Sequence, residues 1–177
     1  MSIDNETQYT LTAIVIHWLN AVLIFAMFAI GWYMVDLPRG AERSASFALH
    51  KSIGLTIFLL ALFRGIWRYF HPPPVYTHMP KWRITAARTA HLLFYVLLVV
   101  QPLSGYLSSS FSGYKTKLFG IPLPHWGWRD APLNEFFTEI HVLSSVLFLI
   151  LIGVHLAGAV SHAFSREDGV LQRIRPW

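Results

Sequence analysis

The chain has 177 residues, 54% of them hydrophobic and only 13% charged, against about 25% charged in a soluble domain; this argues against disorder and against an ordinary soluble enzyme. It contains no cysteine, which excludes disulfides, thiolate metal sites, iron–sulfur clusters, cysteine nucleophiles and haem attached through Cys-x-x-Cys-His. The net charge of +5 lies between apolar runs, where it reads as membrane orientation and not as nucleic-acid binding.

A first helix is expected over about residues 11–35, before the break at Asp36-Leu-Pro-Arg-Gly40. No Lys or Arg lies within Met1–Thr10 and no small-residue cleavage pattern follows the run, so it reads as a mature helix and not as a signal peptide. A second helix, 47–70, stops at Pro72-Pro73-Pro74, because consecutive prolines cannot continue a helix. A third, 84–110, leads into the longest link, Ser112–Pro132, where Trp126 and Trp128 suit the headgroup level. The fourth, 135–164, is apolar on all sides over Leu143–Leu156, which fits lipid better than water. The apolar runs within these segments, about 11–35, 47–67, 90–110 and 140–163, are each near the ~20 residues that cross a ~30 Å hydrocarbon core, and a span must pair its own backbone groups. The expected fold is all-α: a single membrane domain over residues 1–177, folded as an integral four-helix bundle.

Four spans put both termini on one side. That side carries Arg64, Arg68, Lys81, Arg83, Arg88, Arg166, Arg173 and Arg175; the other carries Arg39, Arg43, Lys51, Lys115, Lys117 and Arg129. Basic residues favour the cytoplasm, so the termini are expected there, and the absence of a transit-like leader fits a bacterial inner membrane. This side is called inner and the opposite one outer.

Ionisable groups within spans mark function by default. His17 lies near the inner start of helix 1, His50 near the outer start of helix 2, His91 near the inner start of helix 3, and helix 4 carries His141 at its outer and His155 at its inner end. Fourteen residues at ~100° each return to within about 40° of one face, and at ~1.5 Å each they span about 21 Å. One stripe of helix 4 therefore holds two imidazoles at two depths. His50 matches the depth of His141, and His17 that of His155. Two histidines facing each other at one depth are what six-coordinate haem iron requires. Gly31 and Gly105, fourteen residues beyond His17 and His91, leave room for a macrocycle at the opposite depth. Arg64, fourteen beyond His50, is placed to pair with a haem propionate.

A single histidine near a helix end is more often an interfacial residue than a ligand; the depth-matched set carries the case. Zinc would want three or four clustered ligands, and a proton relay would want intramembrane Asp or Glu, which segments 11–35, 52–63, 90–110 and 142–163 lack. His91 lies at the inner depth too, and periodicity does not separate it from His17, although Ile16 and Trp18 set His17 slightly deeper. His162, seven residues beyond His155, reads as an interfacial histidine or as a propionate or quinone contact. His71, His78 and His125 fall in loops.

The motifs His17-Trp18, Leu49-His50-Lys51-Ser52-Ile53-Gly54 and Phe63-Arg64-Gly65-Ile66-Trp67-Arg68 resemble the bacterial cytochrome b561 family. So do His91-Leu92-Leu93-Phe94-Tyr95, Pro102-Leu103-Ser104-Gly105, Leu118-Phe119-Gly120, Glu139-Ile140-His141, His155-Leu156-Ala157-Gly158-Ala159 and Asp168-Gly169-Val170-Leu171. The resemblance spans about residues 10–177. It implies a membrane bundle with two b-type haems in its core, the inner one on His17 and His155 and the outer one on His50 and His141. It further implies electron exchange with quinone, and in one branch superoxide oxidation with ubiquinone as acceptor. His91 and His162 match histidines that recur in the family and are not assigned as ligands.

The resulting expectation is a superoxide:ubiquinone oxidoreductase whose partners are superoxide, ubiquinone and lipid. One rival is a cytochrome b subunit relaying electrons between quinone and a separate dehydrogenase or hydrogenase. Another is a non-haem membrane carrier or assembly factor. Asp36, Glu42, Asp130, Glu135 and Glu139 leave the outer side at only +1, so attraction of an anion there depends on where the charges cluster.

Overall fold

The computed structural model describes residues 8–73, 79–164 and 170–175. Pro74, His78, Arg166, Asp168 and Gly169 of the motifs above lie outside them. Four helices dominate: α1 (Leu11–Asp36), α2 (Ala41–Phe70), α3 (Lys81–Phe111) and α4 (Ala131–Phe164). Each is long and apolar enough to cross a membrane, and the bundle they form is all-α apart from one small hairpin. α2, α3 and α4 start several residues before the expected 47, 84 and 135. The apolar run marks only the hydrocarbon, while the helix continues through polar residues such as Glu42, Arg43 and Ser44 at the headgroups.

Local chemistry sets the ends. Thr10 caps α1, its hydroxyl accepting from the Ala13 N–H at 3.4 Å. Asp130 caps α4, accepting from the Leu133 N–H at 3.0 Å, with Pro132 in the first turn where its missing N–H costs nothing. α2 closes at His71, whose N–H donates to the Trp67 carbonyl at 2.9 Å, and Pro72 and Pro73 forbid continuation.

The link between α3 and α4 contains an antiparallel hairpin, β1 (Lys117–Leu118) with β2 (Ile121–Pro122), which composition alone reads as loop. Its two turn residues both take positive φ, Phe119 at 46° and Gly120 at 93°, as a type I′ turn demands. A phenylalanine pays steric strain there. The Phe119 N–H donates to Ser52 Oγ at 3.0 Å, and Ser52 Oγ also lies 3.2 Å from the Lys117 carbonyl. The hairpin is thereby fastened to α2 two residues beyond His50.

Backbone packing runs α1 on α2, α2 on α3, and most extensively α3 on α4, while α1 and α4 stand further apart among the described residues. Across the middle of the bundle, Ile57, Ala61, Leu98 and Phe148 form the buried core, with Phe28 and Phe94 packed on it. Phe148 meets Phe28 at 6.4 Å and Phe94 at 5.7 Å between ring centroids. At the inner end the chain termini are tied: the Tyr9 N–H donates to the Arg173 carbonyl at 3.2 Å, and Trp18 Nε1 to that of Ile174 at 3.0 Å. The latter comes from a short 3₁₀ helix, η1 (Leu171–Ile174).

Candidate functional site

The core splits the histidines into two groups. At the outer end His50 of α2 faces His141 of α4, with ring centroids 6.2 Å apart. At the inner end His17 of α1 faces His155 of α4 at 6.4 Å. Two imidazoles on opposite sides of one metal ion, each nitrogen about 2 Å from it, hold their centroids roughly 6 Å apart. Both spacings match that requirement. His91 of α3 also lies 6.2 Å from His155, so spacing alone does not choose between His17 and His91. His162 is half-buried near the end of α4, and His71 and His125 are exposed.

The outer pair is seated against glycine. A Cβ at position 105 would lie 2.9 Å from His141 Cε1 and 3.0 Å from its Nδ1, and one at position 31 would lie 3.4 Å from His50 Cε1. The glycines placed at the outer depth by their spacing are thus the surfaces that the outer imidazoles approach. With no side chain at 105, His141 reaches α3, and its Nδ1–H donates to the Gln101 carbonyl oxygen at 2.8 Å. A carbonyl can only accept, so this bond fixes the tautomer and leaves Nε2 unprotonated, the arrangement common to metal-ligating histidines. The Gln101 side-chain amide donates to the Nε2 lone pair at 3.3 Å and accepts from Ser144 Oγ; iron bound at Nε2 would take the amide's place. Ser104 Oγ adds a bond to the Gln101 carbonyl at 3.0 Å.

His50 provides the sharpest test of whether a metal-centred group fits. Both of its ring nitrogens are buried, and neither has a hydrogen-bond partner among the described residues. Leaving such atoms unsatisfied costs about 1–3 kcal/mol each. A metal on one nitrogen satisfies it directly. The orphaned nitrogens, the glycine cradle and the spacing all fit a planar iron macrocycle at the outer pair.

The inner pair differs. Arg64 Nη1 lies 3.2 Å from His17 Nδ1. A guanidinium only donates, so His17 accepts at Nδ1 and carries its proton on Nε2. Arg64, expected beside a propionate, is therefore found on the imidazole itself. A metal at Nε2 requires Arg64 to turn away, which a carboxylate beside it would favour. Arg64 also lines a small cavity with Tyr9, Ala13, Trp67, Arg68, His71 and Tyr95. Tyr95 Oη and both amide atoms of Asn20, three residues beyond His17, are buried without partners among the described residues.

Sequence reading did not pick out Gln101, Ser144 or Asn20, and it noted Ser104 only within the motif Pro102-Leu103-Ser104-Gly105. Their signal was available in part, since each is a polar residue inside an apolar span.

A long-helix membrane bundle with two depth-separated histidine pairs, one of each pair on α4, defines a class: a haem-bearing helical membrane protein. Comparison with known proteins narrows it. A family profile described as prokaryotic cytochrome b561 matches residues 8–177. The chain is 32% identical to cytochrome b561 homolog 2 of Escherichia coli K12, over 98% of this chain and 95% of that one. It is 22% identical to cytochrome b561 homolog 1 of the same organism, over 96% and 97%. The chain belongs to the prokaryotic cytochrome b561 family, whose members are membrane proteins that bind haem b and transfer electrons.

Proposed function

We propose that this chain holds two haem b groups, His17 and His155 ligating the inner one and His50 and His141 the outer one, and that it oxidises superoxide with ubiquinone as acceptor. The observation that carries the reading is the pair of facing histidines at each depth, 6.4 and 6.2 Å between centroids. Bound haem supplies reversible one-electron chemistry at its iron. Held by His17 and His155 or by His50 and His141, the iron would have little capacity left for oxygen, and the group would supply electron exchange instead. The overall reaction balances as two superoxide anions losing one electron each to give two O2, while one ubiquinone gains two electrons and two protons to give ubiquinol. Arg64, His91 and His162 surround the inner end as contacts for a propionate or for quinone.

Charge placement supports an anionic donor on the outer side. Of its acids, Glu42 accepts from Tyr33 Oη and Asp130 is engaged in capping α4. Lys115 and Lys117 are exposed on or beside the hairpin, which Ser52 holds next to His50. Such a local cationic field raises the encounter rate of an anion by about 10- to 1000-fold.

The test is made on the purified chain. Pyridine haemochrome should give two b-type haems per chain with low-spin bands, and an enzymatic superoxide flux should reduce ubiquinone with no other protein present. Two haems without that activity would favour the relay-subunit rival; no haem in a folded preparation from haem-sufficient cells would sink the reading.

We further place the protein in the bacterial inner membrane with both termini cytoplasmic, supported by the shared end at which Tyr9 and Arg173 meet and by the basic residues there. A carboxyl-terminal green fluorescent protein fusion should fluoresce and the matching alkaline phosphatase fusion should be inactive. The reverse pattern would invert the orientation.

A further inference from the structure

Lys51 follows His50 directly in α2, and its side chain is half-buried. Its ammonium donates to Ser109 Oγ at 2.6 Å. Ser109 is itself buried and is held from two other sides, by Thr116 Oγ1 at 3.2 Å and the Tyr114 carbonyl at 3.3 Å. The lysine is thus set in place by a polar seat made from the end of α3 and the start of the hairpin. Among the described residues it forms no ion pair with a carboxylate.

A partly buried charge without a counter-ion is costly, at several kcal/mol per fully desolvated ion. Within an apolar bundle such a charge marks function. Its position indicates what it serves. Ser109 lies four residues beyond Gly105 on α3, about 6 Å of helix rise, and Gly105 is the residue against which His141 packs. The ammonium therefore sits about one helical turn outward of the outer histidine pair, between that pair and the aqueous face. One of its three N–H bonds goes to Ser109, which leaves donors for an anionic oxygen.

We propose that Lys51 is an anion-binding group of the outer site, receiving an anionic oxygen beside the His50/His141 pair. That oxygen has two chemical sources, the propionate of a haem on those histidines or a superoxide anion arriving from the outer face. The inference rests on the function proposed above.

The haem-loaded full chain is compared with Lys51→Gln and Lys51→Arg by potentiometric titration of each haem, and by the rate of haem reduction in a superoxide flux with and without thiocyanate. If the oxygen is a propionate, Lys51→Gln shifts the outer haem's ferrous-to-ferric balance about tenfold toward ferric, ~59 mV downward for one electron. Lys51→Arg restores it, and thiocyanate leaves the wild type unchanged. If the oxygen is superoxide, Lys51→Gln slows reduction about tenfold with the outer potential near wild type, and thiocyanate slows the wild type but not the variant. Should Lys51→Gln lose the outer haem, recovery of loading in Lys51→Arg supports the charge. Wild-type behaviour of Lys51→Gln in both assays overturns the proposal, as does an equal defect in Lys51→Arg. Failure of the underlying reading shows separately, as absence of haem or of superoxide oxidation in the wild type before any variant is compared.

Discussion

Replacing His141 by alanine is expected to lower the haem content from two per chain to one and to remove the outer haem selectively. The imidazole faces His50 across 6.2 Å and presents an unprotonated Nε2 because its Nδ1–H is committed to the Gln101 carbonyl. Alanine supplies no ligand and leaves the nitrogens of His50, already without partners among the described residues, opposite an apolar methyl group. The inner pair lies about 21 Å away along α4, beyond the Phe28/Phe94/Phe148 layer, so its haem and low-spin bands should persist. Ser145→Ala, on the same helix and outside the polar network, serves as control with both haems. Two haems retained in His141→Ala would show that another group holds the outer iron.

The second large effect is expected at a residue without a side chain. Gly105→Val should cost most of the outer haem while leaving the inner one loaded. The first added carbon alone would sit 2.9 Å from His141 Cε1, a separation that side-chain carbons do not tolerate, and α3 cannot easily retreat because it packs closely along α4. His141 must turn away, which also breaks its bond to Gln101. Overpacking of this kind costs about 1–3 kcal/mol, roughly a ten- to hundredfold loss in haem retention. Gly31→Ala meets His50 at only 3.4 Å and should be much milder, and Gly153→Ala meets nothing within 4 Å and should be silent. Haem stoichiometry with reduced-minus-oxidised spectra across the three variants checks the order. Equal haem content in all three would remove the close seat of His141 from the explanation.

Much of this arrangement is legible along the chain because helical geometry is so regular. The fourteen-residue interval between His141 and His155 fixes their common face and their separation whatever surrounds them, and chain direction alone brings His50 and His17 to matching depths. The juxtaposition of each pair follows. Less legible is what depends on how the helices rotate and approach one another. The Gln101 carbonyl reaches His141 across 40 residues, Lys51 reaches Ser109 across 58, and Phe119 reaches Ser52 across 67. No local periodicity encodes those contacts. The hairpin shows the same limit: Pro122, Pro124 and Gly120 signal a turn-rich link, but the positive φ of Phe119 is sustained by a serine about three turns into another helix. Arg64 illustrates a third limit. Its spacing from His50 sets the correct end and side of α2, but only packing decides that its guanidinium meets His17.

The apolar layer of Ile57, Ala61, Leu98 and Phe148 gives the bundle an electrical asymmetry. No Asp, Glu, Lys or Arg lies within residues 18–30, 52–63, 92–104 or 142–154, so the middle layer offers ions and protons no charged stepping stone, while an electron needs none. The two levels enclose about 21 Å of a hydrocarbon core of about 30 Å. A unit charge crossing the whole core works against about 2.3 kcal/mol per 100 mV, and one exchanged between the levels meets about two thirds of that. With a haem at each level, as proposed, the membrane voltage would act directly on the equilibrium between the two ends. The same protein would settle at a different balance in energised cells than in detergent.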